Sequence, residues 1–120
     1  MANQYRRGRQ TEYLIKDILT EDGFICARTA GSHGPADIIA KRKKLTIFIQ
    51  SKREKKRTKI NKININNYME DVDKLKTLIS PDEDPKYYQY QLWIHLDKIG
   101  FYIYNVRLEE EPRLILGPFQ

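Results

Sequence analysis

The chain has 120 residues, of which 40% are hydrophobic and 32% are charged. A chain of this length folds around one core, so we predict a single domain over residues 1–120. The absence of any run of about 18 apolar residues argues against a helical membrane span. The basic N-terminus lacks the apolar segment of a secretory signal, and a lone cysteine, Cys26, cannot form an internal disulfide. We therefore expect an intracellular, cytoplasmic protein.

The positive charge is concentrated in the first half of the chain. Residues 1–65 carry 16 Lys and Arg against 6 Asp and Glu, whereas residues 66–120 carry 6 against 10. Lysine and arginine neutralise phosphates and release counterions, so the basic half suits a polyanionic partner. We favour nucleic-acid binding over the alternative, a solvated surface that only keeps the protein in solution.

The first predicted elements are a helix and three strands. Apolar side chains recur at helical spacing along residues 10–22, and Gly23 supplies a helix stop. A Gly-containing loop is expected over residues 30–35. The three strands are predicted at residues 24–27, 36–40 and 45–52.

The second half is predicted to form one helix and two or three strands. Residues 53–65 are mostly charged and are interpreted as a mobile basic loop. A helix is predicted from residue 66, with Asn66 or Asn67 as its N-cap and a stop before Pro81. Its apolar face consists of Val72, Leu75, Leu78 and Ile79. The strands are predicted at residues 88–96 and 101–106, with a last short one in the C-terminal tail. This order predicts a mixed α/β fold, with a helix on each side of a central sheet.

Three polar residues are predicted to meet at the ends of two neighbouring strands. Asp37 stands at the start of one strand, and Gln50 and Lys52 lie near the end of the next. A spacing of two puts Gln50 and Lys52 on one face, and a hairpin between the strands would bring Asp37 beside them. The alternative interpretation is a turn-capping Asp37 and a surface lysine.

This set of side chains suits phosphodiester hydrolysis. A carboxylate and an amide oxygen are ligands that Mg²⁺ accepts, and Mg²⁺ polarises a phosphate and activates a bound water. A nearby lysine can orient that water or stabilise the charge that develops on the phosphate. Glu12 is a candidate third oxygen ligand if the first helix packs beside the strand ends.

Four sequence pieces carry a resemblance to a known family. They are Arg7-Gly8 followed by Glu12, the loop from Arg28 to His33, the strand from Pro35 to Ala40, and the strand from Ile47 to Lys52. In order and spacing they resemble the archaeal Holliday junction resolvases, a branch of the PD-(D/E)XK nucleases. The resemblance covers roughly the first 55 residues.

The resemblance implies a restriction-endonuclease-like fold and a structure-specific DNA endonuclease that works with Mg²⁺ or Mn²⁺. It implies that Glu12, Asp37 and Gln50 bind the metal together with Ser51, that Lys52 is the catalytic lysine, and that Ser32 contacts the scissile phosphate or its water. The residues implied to hold the DNA are Arg7, Arg9, Arg28, His33, Arg53, Lys55, Lys56 and Arg57. It also implies a homodimer that resolves four-way junctions in the cytoplasm, in association with the nucleoid.

Gln50 departs from the family pattern, which has an acidic residue at that position. A glutamine offers an oxygen but no charge, so weaker metal binding is expected. Two alternatives therefore stay open, namely a related nuclease with a restriction, flap or repair substrate, and an inactive DNA-binding relative. No phosphate-binding G-x-x-x-x-G-K-[ST] loop occurs, so no nucleotide cofactor is predicted.

Other side chains receive structural interpretations. His33 and His95 are too few and too separated for a zinc site, and His95, which alternates with Trp93, is predicted to be half-buried in a strand. The aromatic residues between positions 87 and 104 have strand spacing, which favours core packing or a dimer contact over base stacking.

Overall fold

The computed structural model describes residues 2–29, 34–54, 59, 62–107 and 112–117, and for residues 2–7 it describes the backbone alone. Of the predicted basic loop over residues 53–65, positions 55–58, 60 and 61 lie outside the described part of the chain. Within the described part, no helix is long and apolar enough to cross a membrane.

The first helix, α1, spans Ala2–Glu21 and is longer than predicted. The prediction began at residue 10 because the preceding residues are polar and carry no apolar stripe. Among the described side chains of α1, the buried ones are those of Thr11, Ile15 and Leu19, which are spaced four apart and so lie on one face. The helix ends as predicted, because Gly23 adopts a φ of 90°, which a glycine tolerates without steric cost.

Within the described residues, six strands form one mixed sheet in the order β1-β2-β3-β4-β5-β6. All neighbours are antiparallel except β3 and β4, which are parallel. The strands are β1 (Ile25–Arg28), β2 (Ile38–Arg42), β3 (Leu45–Arg53), β4 (Tyr88–Leu96), β5 (Gly100–Asn105) and β6 (Arg113–Leu116). The predicted strands are therefore confirmed to within one or two residues at their ends. The largest difference is in β2, which starts at Ile38 instead of Ala36, because pairing with β1 begins only at Ile38.

The connection from β3 to β4 contains a short 3₁₀ helix, Ile65–Tyr68, followed by α2, Met69–Lys76. The predicted N-caps Asn66 and Asn67 are wrong. The cap is Asn64, whose side chain accepts a hydrogen bond from the Asn66 N–H over 3.0 Å. Asparagine is a favoured N-cap residue wherever it precedes a helix. Asn64, Asn66 and Asn67 lie close together, so the sequence alone did not distinguish which of them caps the helix. Helix α2 also stops at Lys76, so the predicted face residues Leu78 and Ile79 lie beyond it.

The sheet is covered by α1 on one face and by α2 on the other, as predicted. Strand β4 shows this most clearly, because Trp93 belongs to one buried cluster and its neighbours Leu92 and Ile94 belong to the other. The first cluster contains Ile15 and Leu19 of α1, and the second contains Val72 and Leu75 of α2. Side chains at odd and even positions of the central strands therefore enter different layers.

Candidate active site

The carboxyl ends of the parallel strands β3 and β4 meet at one edge of the sheet, and Asp37 lies beside this edge, just before β2. Its backbone is held on both sides, since its N–H donates to Ile49 O over 2.7 Å and its carbonyl accepts from the Thr29 N–H over 2.9 Å. The predicted hairpin of β2 and β3 is confirmed, with Ile38 opposite Ile49. Asp37 is therefore carried next to Gln50 by strand pairing alone.

Ser51 fixes the carboxylate of Asp37. Its backbone N–H and its hydroxyl both donate to Asp37 Oδ2, each over 2.9 Å. Hydrogen bonds to an ionised acceptor are the stronger kind, and two from one residue fix the orientation of the carboxylate. Ser51, predicted as a metal ligand, thus acts here as a donor that aims the principal carboxylate of the site.

Gln50 presents a buried amide oxygen. The residue is 8% exposed, and among the residues that the structure describes none donates a hydrogen bond to its Oε1. Leaving a buried acceptor without a donor costs about 1–3 kcal/mol. A hard cation, which takes carbonyl and carboxylate oxygens as ligands, is a group that would satisfy this atom. The donor set of Asp37 and Gln50 therefore fits Mg²⁺.

Lys52 lies on the same side of β3 as Gln50. Gln50 is paired in register with Leu92 and Lys52 with Ile94, and both partners belong to the cluster that α2 covers. The Lys52 ammonium lies 3.6 Å from Asp71 Oδ1 on α2, and the lysine side chain is 46% exposed. Lys52 is thus held by an acidic residue and still reaches solvent, where a phosphate would approach.

Asp71, which pairs with Lys52, was not predicted from the sequence. It is 6% exposed on the inner face of α2, one turn before the buried Leu75. Burial raises the pKa of the Asp71 carboxyl, and the charge of Lys52 acts in the opposite direction. The available signal was an acidic residue four positions before Leu75, on a face otherwise predicted to be apolar.

Glu12, the third predicted metal ligand, is paired with Arg28. The guanidinium Nε donates to Glu12 Oε1 over 2.7 Å, and both side chains are half-buried. Arg28 also lies over the ring of Tyr13, 5.1 Å from its centroid. Two predicted residues from α1 and β1 are therefore brought together, although one was expected at the metal and the other at the DNA.

No three side chains drawn from histidine, cysteine, aspartate and glutamate gather closely enough to hold a metal ion within the described part of the chain. Among the described residues, no third acidic residue, histidine or cysteine therefore joins Glu12 and Asp37 in a metal-binding group. A cation bound at this edge would rely on the neutral oxygen of Gln50.

The predicted DNA contacts are only partly described. Arg53 forms an ion pair with Asp97 over 3.2 Å and is half-buried, and Arg9 is exposed on α1. The remaining predicted contacts, and Ser32, lie outside the residues or side chains that the structure describes. They are Arg7, Ser32, His33, Lys55, Lys56 and Arg57.

His95 is fully buried at 2% exposure, so the prediction of a half-buried residue is wrong. Its Nδ1 shares a hydrogen bond with the Thr11 hydroxyl over 3.0 Å, and its ring stacks on Phe101 with centroids 4.7 Å apart. Its alternation with Trp93 predicted a strand position but could not show that α1 covers the side chain, as the hydrogen bond with Thr11 shows. Burial, and secondarily the charge of Arg53, lowers the pKa of His95.

A mixed six-stranded sheet with one helix layer on each face, and with polar residues at the ends of its second and third strands, defines an α/β protein of the restriction-endonuclease-like class. A solved structure of Archaeoglobus fulgidus Hjc, described as a Holliday junction resolvase from an archaeal hyperthermophile, has this fold. The two structures match with a TM-score of 0.59 at 18% identity, over 90% of this chain and 81% of that one.

A family model described as archaeal Holliday junction resolvase (hjc) matches residues 3–80, more than half of the chain. The chain therefore belongs to the archaeal Holliday junction resolvase family. The matched segment runs from α1 through α2 and includes every predicted site residue. A search of curated protein sequences finds no significant match.

Proposed function

We propose that this chain is a Mg²⁺-dependent endonuclease that cuts four-way DNA junctions as a homodimer. The observation that carries the proposal is the placement of Asp37 beside Gln50, whose buried oxygen has no donor among the described residues, with Lys52 on the same face as Gln50. Membership of the resolvase family supplies the substrate class. Residues 1–120 would act as one nuclease domain, working on DNA in the cytoplasm and associated with the nucleoid.

Asp37, Gln50 and Glu12 are the residues that would hold Mg²⁺, and Mn²⁺ would replace it in an assay. When bound, Mg²⁺ supplies polarisation of the scissile phosphate and a water of lowered pKa. Asp37 contributes an oriented negative charge, because Ser51 and the flanking backbone hold it. Glu12 bonds Arg28 through one oxygen, and a carboxylate has a second oxygen with which to bind a cation.

Lys52 would act on the phosphate itself. Its ammonium is directed by Asp71 and exposed to solvent, so it can donate to a phosphate oxygen as negative charge develops there. Ser32 would contact the scissile phosphate or its water. The basic residues would hold the flanking DNA backbone, which positions a duplex without reading its sequence. They are Arg7, Arg9, Arg28, His33, Arg53, Lys55, Lys56 and Arg57.

A homodimer follows from the form of the substrate. A four-way junction has two strands to be cut in symmetric positions, and one chain carries one such site. Two copies related by a two-fold axis would place one site on each strand. Sedimentation of the chain with and without a junction measures this directly, and a monomer in both states would contradict it.

Cleavage of defined DNA substrates tests the activity. The chain is incubated with a labelled four-way junction, a duplex, a flap and a single strand, in Mg²⁺, in Mn²⁺ and in EDTA. We expect paired nicks in the junction only, and only with metal. Equal cutting of all four substrates would instead indicate a nuclease of another preference.

The neutral Gln50 favours one further candidate, a relative that binds junctions without cutting them. That protein would shift a junction in a gel equally well in Mg²⁺ and in EDTA and would leave it intact. Absence of cleavage at any protein excess, in both metals, would establish this candidate and reject the enzyme.

A further inference from the structure

The α2-facing side of β3 carries an unbalanced charge. Gln50 brings an oxygen without charge, and Lys52, two residues on, brings an ammonium to the same face. A divalent cation near Gln50 would be repelled by that ammonium and attracted by the carboxylate of Asp37, just before β2. The carboxylate of Glu54, just after β3, accepts a hydrogen bond from the Tyr68 hydroxyl instead. A site with this composition needs another negative group in the same layer.

Asp71 is placed to be that group. Helix α2 packs on β3 and β4, and its Val72 and Leu75 belong to the same buried cluster as Leu92 and Ile94. Asp71 is buried on this side of the helix, with Oδ1 3.6 Å from Lys52 Nζ. Since Leu92 and Ile94 are the register partners of Gln50 and Lys52, Asp71 shares one layer with both.

The ion pair with Lys52 does not by itself account for the burial of Asp71. An exposed lysine is paired as well by an exposed acid, and a carboxylate loses solvation when it enters an interior. The lysine side chain is 46% exposed whereas that of Asp71 is 8% exposed. Asp71 is therefore buried more deeply than the ion pair requires. It lies in the same layer as the Gln50 oxygen, which has no donor among the described residues.

We propose that Asp71 supplies the negative charge that Gln50 lacks, so that one acidic residue of the site stands on α2 instead of on β3. It offsets Lys52 and raises the affinity of the Asp37 and Gln50 oxygens for a divalent cation. This inference rests on the proposed metal-dependent function. It also explains why a glutamine in β3 is compatible with a working site.

Binding of Mn²⁺ alone tests this role without reference to cleavage. The free-ion signal in electron paramagnetic resonance gives the Mn²⁺ affinity of the wild type, Asp71→Asn, Gln50→Glu and the double variant. We expect Asp71→Asn to weaken binding by about tenfold or more, at the scale seen when groups that support a metal site are removed. Gln50→Glu should tighten binding, and adding it to Asp71→Asn should restore affinity to near the wild-type value.

Asp73→Asn is the matched control, because Asp73 is exposed on the same helix and should leave Mn²⁺ affinity unchanged. Circular dichroism verifies folding of each variant, and Asp71→Ser serves as a second substitution if Asp71→Asn does not fold. Equal affinity of the folded Asp71 variant and the wild type would overturn the inference. So would failure of Gln50→Glu to restore binding, since a purely structural role would not be repaired from β3.

Failure of the proposed function has a different signature. If the wild type neither binds Mn²⁺ nor cuts a junction, the metal-dependent enzyme and the role of Asp71 both fall. If the wild type binds Mn²⁺ and cuts, while Asp71→Asn binds equally well, only the role of Asp71 is rejected.

Discussion

Ser51 donates two hydrogen bonds to one oxygen of Asp37, one from its backbone and one from its hydroxyl, each over 2.9 Å. Strand pairing places the backbone donor of the first bond, whereas the second bond depends on the serine side chain. The two bonds together leave the carboxylate little freedom to turn, so its orientation depends on a serine that the family motif treats as the variable position between Gln50 and Lys52.

Replacing this serine should lower the rate of cleavage without loss of junction binding. Ser51→Ala removes the hydroxyl bond and keeps the backbone bond. We expect the single-turnover rate to fall by about ten- to hundredfold, since a bond to a charged group contributes about 1.5–3 kcal/mol. Ser51→Thr retains the hydroxyl and is the control. A wild-type rate for Ser51→Ala would show that the backbone bond alone orients Asp37.

Removal of Asp37 or Lys52 should slow cleavage severely while the junction is still bound. Asp37→Asn takes away the oriented charge and Lys52→Ala takes away the group that stabilises the phosphate. We expect each to lose about 10²–10³ in rate, the range seen when one electrostatic group is removed from an active site. Gel-shift assays measure binding in parallel.

The controls for these losses lie on the exposed side of α2. Asp73→Asn and Lys76→Ala change charge by the same amounts at exposed positions on the same helix. They should cut junctions at the wild-type rate. If Asp37→Asn also cuts normally, the site has been assigned to the wrong residues.

Gln50→Glu should reduce the Mg²⁺ concentration needed for half-maximal cleavage. The new carboxylate adds one negative charge next to Asp37, and cation affinity rises with the charge of the ligands. We expect the maximal rate to be kept or increased and the midpoint of the Mg²⁺ titration to fall by about tenfold. Gln50→Met, which removes the oxygen at similar volume, should move the midpoint in the opposite direction.

The stability of the fold should decrease as the pH falls from neutral, in part because of His95. Burial lowers the pKa of His95, whereas the unfolded residue takes up its proton near pH 6.5. Between those two pKa values the unfolded chain binds more protons, so the free energy of unfolding falls as the pH falls. Urea unfolding at pH 7.5, 6.5 and 5.5 measures this change.

His95→Phe isolates the contribution of the histidine, because phenylalanine can still stack on Phe101 but does not titrate. Below pH 6.5 the wild type should lose up to about 1.4 kcal/mol per pH unit relative to this variant. Equal slopes for the two proteins would mean that His95 is protonated as readily in the folded state as in the unfolded one.

Local pattern was sufficient to predict most of the sheet. The apolar runs of β3 and β4 are bounded by charged or turn residues, and their predicted limits agree with the structure to within one residue. The start of α1 could not be predicted in this way, because its first turns have no apolar stripe and the periodic signal begins only with Leu14. The parallel pairing of β3 with β4 depends on how the chain crosses over through α2, which no local pattern encodes.

The same distinction applies to the candidate site. Spacing in one hairpin, together with the family motif, was sufficient to bring Asp37, Gln50 and Lys52 together. The pairing of Glu12 with Arg28 joins α1 to β1, and that of Lys52 with Asp71 joins β3 to α2. Both pairs depend on the docking of a helix on the sheet, so neither could be predicted before that docking was known.

The alternation of side chains along β3 bears on how the protein would fail when it is heated. Ile49 anchors this strand in the layer of α1, while Gln50 and Lys52 extend into the layer of α2. A catalytic loop on the periphery of a protein can melt early and leave the remainder folded. Here the strand that carries the candidate site contributes side chains to both layers. The temperature midpoints of heat inactivation and of global unfolding should therefore be the same. The loss of junction cutting on heating would then report the unfolding of the whole domain.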